Sequence, residues 1–280
     1  MKNDKVSIII PTYNREHFLL KCFTSLFEQI HRPLEIIVVD DGSEDKTYEI
    51  VQECIKKFSS KEFKILYFYQ KNRGAPSARN RGIRESSGDW LQFLDSDDYL
   101  ESNKISAQLD SLKEKKAELA VCDYKIFNIN SKKSFKIRSN GNLLLKVANG
   151  HSIFTGAALI SRKIIEKGIL WNENLFREQD KEFLFNVLFA SKRYVYNSDI
   201  YAIYIKHNFS QITDIYSKTE PQAIEVIKSN LKYIIKFKKY LGPYKFLLII
   251  NHILHITLRL IIIYKFKKKL KKIISQIIKF

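Results

Sequence analysis

Two apolar runs, VSIII at 6–10 and LEIIVV at 34–39, constrain this chain more than any other feature of its sequence. Both are rich in β-branched side chains. Each is closed by a turn signal, Pro11 in the first case and Asp40-Asp41-Gly42-Ser43 in the second. Short runs with so little polar alternation are strands buried on both faces, and such strands belong to parallel sheets. Between them Phe18, Leu19, Cys22, Phe23, Leu26 and Phe27 recur at helical spacing, and after the second run Tyr48, Val51, Cys54, Ile55 and Phe58 do the same. The alternation continues through a strand at 63–69, a helix at 75–86 and a strand at 90–94. Right-handed crossovers then predict an α/β fold, a doubly wound and mostly parallel sheet with helices on both faces.

Beyond residue 100 the pattern predicts helices at 101–116, 142–149 and 180–192. Strands are expected at 118–127 and 155–161, and the alternating, tyrosine-rich YVYNSDIYAIYIK at 194–206 reads as a strand pair. A length of 280 residues with 45% hydrophobic content suits one large domain or a domain with an appendage. Cys22, Cys54 and Cys122 stand in no CxxC spacing and read as small buried hydrophobes. The N-terminal apolar run meets a proline after five residues, too soon for a signal peptide, so a reducing cytosol is the expected setting. No GxGxxG or GxxxxGK[ST] follows the first strand, which excludes the dinucleotide fingerprint and the P-loop.

Four segments interrupt the pattern with chemistry. PTYNRE at 11–16 is the turn beyond the first strand, and taken alone it reads as a helix entry with Asn14 as cap. DDGS sends Asp40 and Asp41 out of the second strand side by side, as solvated turn carboxylates or as ligands. NRGAPSARNRG at 72–82 sets Arg73, Arg79 and Arg81 beside Gly74 and Gly82, a helix whose entry suits close approach by an anion, or a surface helix with solvated arginines. It runs on into GDWLQFLDSDDY at 88–99, where a buried strand ends in Asp95, Asp97 and Asp98. Open α/β sheets bind ligands at the carboxyl ends of their strands. Carboxylates packed so closely repel unless a cation or donors sit among them. Oxygen ligands suit Mg²⁺ or Mn²⁺, which take one or two carboxylates and complete their shell with phosphate and water. The fourth segment, LFREQDKEFLF at 175–185, crowds Glu178, Asp180 and Glu182 at a helix start. The helix dipole favours acids there, and each is also a candidate general base. His207, alone at a strand end, reads by itself as a polar surface residue.

Taken together, PTYNRE, DDGS, NRGAPSARNRG, the Asp-x-Asp of DSDD, TGAALISR and FREQDKEF make the chain resemble the family 2 glycosyltransferases with the GT-A fold, over roughly residues 4–212. The resemblance implies a metal-dependent, inverting glycosyltransferase of the type that builds bacterial cell-surface polysaccharides. By this likeness Pro11, Thr12 and Tyr13 hold and stack on the nucleotide base, Asp40 or Asp41 bonds its edge, and Arg79 lies near the donor. Asp95, with Ser96, meets the ribose, Asp97 binds the Mg²⁺ or Mn²⁺ ion that bridges the donor phosphates, and His207 helps bind the metal or the diphosphate. Asp180 matches the catalytic base. Ser102 stands where the family usually has a proline, a change at a helix start. The implied partners are a nucleotide-sugar donor, a UDP-sugar first among them, and a glycan or lipid-linked acceptor. A non-catalytic relative acting as a partner subunit is the alternative, and the presence of Asp97 and Asp180 argues against it.

The formal charge of +18 is unevenly spread: residues 207–280 carry 15 Lys and Arg against 3 Asp and Glu. Such a region attracts nucleic acid, nucleotides or an anionic bilayer alike. Aromatic residues are not interleaved with the lysines, and the aspartate cluster opposes a phosphate backbone, so no nucleic-acid partner is expected. Residues 246–264 approach membrane-spanning length, but Asn251, His255 and Arg259 draw a polar stripe down one face. With the lysines at 265–272 and the isoleucines after them, the preferred reading is a basic amphipathic helix at an anionic membrane surface. A hairpin that packs on the domain or forms a homodimer, and a true span, are the other two. The expected organisation is a GT-A domain over 1–215, its nucleotide-sugar half about 1–100 and its acceptor half about 101–215, followed by a basic helical region over 216–280. Such a protein would sit peripherally on the inner face of the plasma membrane.

Overall fold

The computed structural model describes residues 4–148, 153–175 and 179–207. The chain divides into two compact units, and the first (1–147, 152–174 and 179–209) contains the whole sheet. The second comprises 148–151, 175–178 and 210–280. The expectations for the basic tail, for Glu178 and for the membrane therefore lie outside the described residues. Among the described residues no helix is long and apolar enough to cross a membrane.

The two apolar runs form the centre of the sheet. Strand β1 (Val6–Thr12) and strand β2 (Leu34–Asp40) are buried at every position and pair in parallel from Val6↔Leu34 to Thr12↔Asp40. Each fully buried Ile or Val here contributes roughly 1.5–3 kcal/mol. Helices α1 (Glu16–Phe27) and α2 (Thr47–Phe58) connect β1 to β2 and β2 to β3 (Phe63–Tyr69), and α3 (Ala75–Glu85) leads into β4 (Trp90–Phe93) beside β1. Helix α3 lies very close to the sheet: a Cβ on Gly82 would stand 2.3 Å from Cγ2 of Ile9 in β1. The single acid in the second run, Glu35, is also explained. It accepts hydrogen bonds from Lys5 Nζ (2.6 Å), Ser7 Oγ (2.7 Å) and Ser87 N (2.8 Å) at the amino ends of the strands. Burial pushes its pKa up, but these donors outweigh that and hold it below the usual range.

The second half follows as β5 (Tyr99–Leu100), α4 (Lys104–Lys115), β6 (Leu119–Asn128), β7 (Lys133–Ile137), α5 (Leu143–Ala148), β8 (Ala158–Ser161), α6 (Arg162–Ile165), α7 (Gln179–Ala190) and β9 (Tyr194–Lys206). The sheet order is β3-β2-β1-β4-β8-β6-β9-β5, with β7 paired to β6. Strands β3, β2, β1 and β4 are parallel, β8 runs against both β4 and β6, and β9 is parallel to β6. The sheet is thus mostly parallel with helices packed on it, as expected.

Three expectations are corrected. Residues 194–206 form one strand, not a pair: β6 pairs with both halves of β9, and the ladder skips from Cys122↔Asn197 to Asp123↔Tyr201. The unpaired Ser198, Asp199 and Ile200 form a bulge, with Asp199 left-handed at φ 58°. Residues 155–157 form a 3₁₀ turn ahead of β8 because buried amides seize their carbonyls, Gln92 donating to Gly156 O and Gln108 to Ala157 O, both at 3.0 Å. Helix α4 begins at Lys104 because Tyr99 and Leu100 pair with β9 as β5.

Candidate active site

The carboxyl ends of β1, β4 and β9, with the start of α7, converge on one set of charged side chains. Leu94 N donates to Ile9 O (3.1 Å), which carries the parallel ladder one residue past β4 and fixes the aspartate turn against β1. Within that turn Asp98 N donates to Asp95 O (3.0 Å).

Three aspartates within four residues have three environments. Asp95 accepts a hydrogen bond from Arg79 Nη2 at 2.7 Å. Asp97 lies beside His207, Nε2 to Oδ2 3.0 Å, and Arg15 Nε is 3.7 Å from the same oxygen. Asp98 is wholly buried, accepts from Ile205 N (2.7 Å), and has its pKa raised well above the usual range by burial first and then by Asp97 and Asp95. His207 follows β9 and its ring stacks on Phe18 of α1, centroids 4.5 Å apart.

Arg79 joins the turn to α7. Its Nη2 also stands 4.0 Å from Asp180 Oδ1, and its Nη1 donates to Gln179 Oε1 at 3.4 Å. The guanidinium lies 4.3 Å over the ring of Trp171, which stacks on Phe183 of α7 at 4.1 Å. Burial disfavours the arginine charge, but Asp95 and Asp180 more than compensate, so its pKa is raised. Asn80, one residue on, grips Trp171 by its backbone: Trp171 N donates to Asn80 Oδ1 and Asn80 Nδ2 donates to Trp171 O, both at 2.8 Å. The clasp fixes the ring that supports both Arg79 and α7.

At the end of β2, Asp40 accepts from Ser43 N (2.8 Å) and Tyr67 Oη (2.7 Å), closing the DDGS turn. Asp41 accepts from Gln70 Nε2 (2.7 Å), Arg73 N (3.0 Å) and Gly74 N (2.7 Å), tying the loop before α3 to β2. Both are buried, and each carboxylate keeps acceptor capacity beyond these bonds. Pro11, Thr12 and Ser96 are buried, whereas the Tyr13 ring is exposed.

The structure thus brings Arg79, Asp95 and Asp180 into one group and Asp97 and His207 into another. Asp97 also acts on Arg79, and Asp95, Asp97 and Asp180 all act on Asp98, so the two groups share one electrostatic site. Sequence reasoning passed over Arg15, Phe18, Asn80 and Trp171. Arg15 and Asn80 lie inside segments it had singled out, but nothing in a linear pattern announces that a tryptophan 91 residues away is clasped by its backbone.

The model of glycosyl transferase family 2 matches residues 7–169. The chain belongs to that family. The glycosyltransferase GlyA of Streptococcus pneumoniae serotype 4 is 40% identical over 126 residues, which are 45% of this chain and 18% of GlyA. Two Rickettsia relatives are likewise spanned over only 25% and 28% of their length. Among solved structures, S. aureus TarS 1-349 in complex with UDP-GlcNAc superposes with a TM-score of 0.67 at 22% identity, covering 82% of this chain and 66% of that one. The mannosyltransferase PcManGT from Pyrobaculum calidifontis, in complex with GDP-Man and Mn²⁺, gives 0.62 at 16% identity, over 91% and 70%. At that identity the likeness fixes the fold, and the fold of this family 2 domain is GT-A.

Among the described residues no three His, Cys, Asp or Glu side chains form a self-sufficient metal cage. The donor set at Asp97 nevertheless fits a hard divalent ion that keeps room for phosphate and water. A carboxylate oxygen and an imidazole nitrogen converge there, 3.0 Å apart.

Proposed function

We propose that this domain transfers a sugar, with inversion, from a nucleoside-diphosphate sugar to a hydroxyl of a glycan or lipid-linked acceptor in cell-surface polysaccharide synthesis. The observation that carries the reading is the meeting of Arg79 with both Asp95 and Asp180, residues of three separate segments, at the carboxyl edge of the parallel strands. The ligands of TarS and PcManGT support a nucleotide-sugar donor, a UDP-sugar first.

Asp180, with its side chain 41% exposed, accepts the proton of the acceptor hydroxyl as that oxygen bonds to the anomeric carbon. The bond from that carbon to the phosphate oxygen breaks, and its electron pair leaves with the nucleoside diphosphate. Attack from the face opposite the leaving group inverts the configuration. Arg79 holds Asp180 and Asp95 in mutual register and places positive charge beside the donor. Asp95, with Ser96, is assigned to the ribose, and Pro11, Thr12, Tyr13, Asp40 and Asp41 to the base. Asp97 and His207 are the residues that would hold Mg²⁺ or Mn²⁺, which when bound supplies charge stabilisation for the departing diphosphate. Residues of about 1–100 thereby form the donor half and those of about 101–215 the acceptor half.

The test is a panel of nucleotide sugars with Mn²⁺ or Mg²⁺, read by release of nucleoside diphosphate and by the anomeric configuration of the product. One donor turned over, with Asp180→Asn losing at least about 100-fold in kcat while its donor affinity stays within about twofold, is the expected result. Weakened donor binding with turnover preserved removes Asp180 from the role of base.

A further inference from the structure

The β6–β7 hairpin takes no part in the site chemistry, yet from Ile129 to Arg138 the chain reads INSKKSFKIR, four cations and no acid. Its tip is a built turn: Asn128 Oδ1 accepts from the backbone N–H groups of Asn130 and Ser131, each at 3.0 Å, and Lys132 is left-handed at φ 53°. Ile129 N donates to Lys206 O (3.0 Å), so the turn is fastened one residue from His207, whose imidazole meets Asp97. Ile129 and Phe135 are 40% and 56% exposed. Lys125 is taken by Glu101 and Lys136 lies over the Tyr201 ring, whereas among the described residues Lys132, Lys133 and Arg138 have no carboxylate partner.

Lysines on an edge strand also deter edge-to-edge pairing, but exposed Ile and Phe beside them work against that purpose. A soluble acidic glycan would satisfy the cations and leave the apolar side chains in water. An anionic bilayer satisfies both: apolar side chains leave water at the acyl boundary while the cations meet headgroup phosphates. We propose that the hairpin 128–138 docks the protein on an anionic lipid surface, bringing the end of the sheet that carries Asp97 and His207 toward the headgroup plane. A lipid-linked acceptor would be met there, and in that respect the inference deepens the function proposed above. The binding itself needs no turnover, so docking and sugar transfer succeed or fail separately.

The experiment uses the full chain with Ser131→Cys, whose side chain is not used by the turn, labelled with an environment-sensitive fluorophore; Cys22, Cys54 and Cys122 are buried. Emission should shift to the blue and brighten with vesicles of phosphatidylcholine and phosphatidylglycerol, and not with phosphatidylcholine alone. Lys132→Gln with Lys133→Gln should weaken binding to the anionic vesicles about 25-fold, and Phe135→Ser should reduce the blue shift. Absence of binding overturns the proposal. So does protein that sediments with the vesicles while the label still reports water, or binding indifferent to the lysine pair, since either assigns membrane contact to another part of the chain.

Discussion

Lys104 is wholly buried in the first turn of α4, where its Nζ donates to Gln92 Oε1 of β4. Burial lowers its pKa from 10.5 to about 8. The unfolded chain keeps this proton up to about pH 10.5 and the folded chain releases it near 8, so the folded state is penalised fully below about pH 8 and not at all above about 10.5. At ~1.4 kcal/mol per pH unit the penalty is about 3 kcal/mol at pH 7 and falls by about 1.3 kcal/mol by pH 9. Lys104→Met removes the charge and keeps the shape, but leaves Gln92 Oε1 without its donor at a cost of about 1–2 kcal/mol. A net gain of about 1–2 kcal/mol at pH 7, nearly gone at pH 9, is therefore expected. Urea denaturation of both proteins at the two pH values measures it, and the buried thiols of Cys22, Cys54 and Cys122 are common to both proteins. A variant less stable than wild type at pH 7, or equally favoured at both pH values, refutes the reasoning.

Asp97→Asn should reduce metal-dependent donor affinity by at least the ~10-fold that even outer-shell ligand partners carry, and a calorimetric titration with unchanged affinity would take Asp97 out of the metal site. Gly82→Ala drives a methyl into Ile9 and should destabilise by about 1–3 kcal/mol in thermal melts; a melting temperature equal to wild type would mean that α3 moves away without cost. Asn80→Ala strips Trp171 of both backbone partners. It should cost about 2–3 kcal/mol and change the near-ultraviolet circular dichroism, whereas an unchanged spectrum would show that the clasp does not position the ring.

The parallel half of the fold was legible because its signals are local. A strand buried on both faces is an apolar run, and the aspartates that follow such a run stand where a sheet of this kind presents ligand groups. Asp97 and His207, which meet at 3.0 Å, are linked in the sequence only through likeness to a family, since the 110 residues between them carry no periodic link. The errors fell where a non-local partner overrode local propensity. Ser198 and Asp199 have turn chemistry, yet β6 pairs on both sides of them; TGAA has strand character, yet two buried glutamines hold its carbonyls. Strands β5 and β7 are defined by their partners and carry no distinctive pattern of their own.

The density of acids in DSDD finds its explanation in how each charge is neutralised, and on the proposed reading the same balance favours Asp97 as the place for a metal. Asp95 is taken by Arg79. Burial favours the proton on Asp98, and one of its oxygens is spent on Ile205 N. Asp97 is left facing a nitrogen ligand, His207, with Arg15 further off at 3.7 Å. On the proposed reading a nucleoside diphosphate adds its negative charge to those of Asp95, Asp97 and Asp180, while Arg15 and Arg79 contribute two fixed positive charges. The excess is negative, and in a partly buried site such an excess repels the donor by several kcal/mol. A divalent cation at Asp97 offsets it at the one aspartate whose partner is itself a metal-ligand type. Donor affinity should then depend steeply on Mg²⁺ or Mn²⁺, and donor binding of equal strength in excess chelator would show that the arginines suffice.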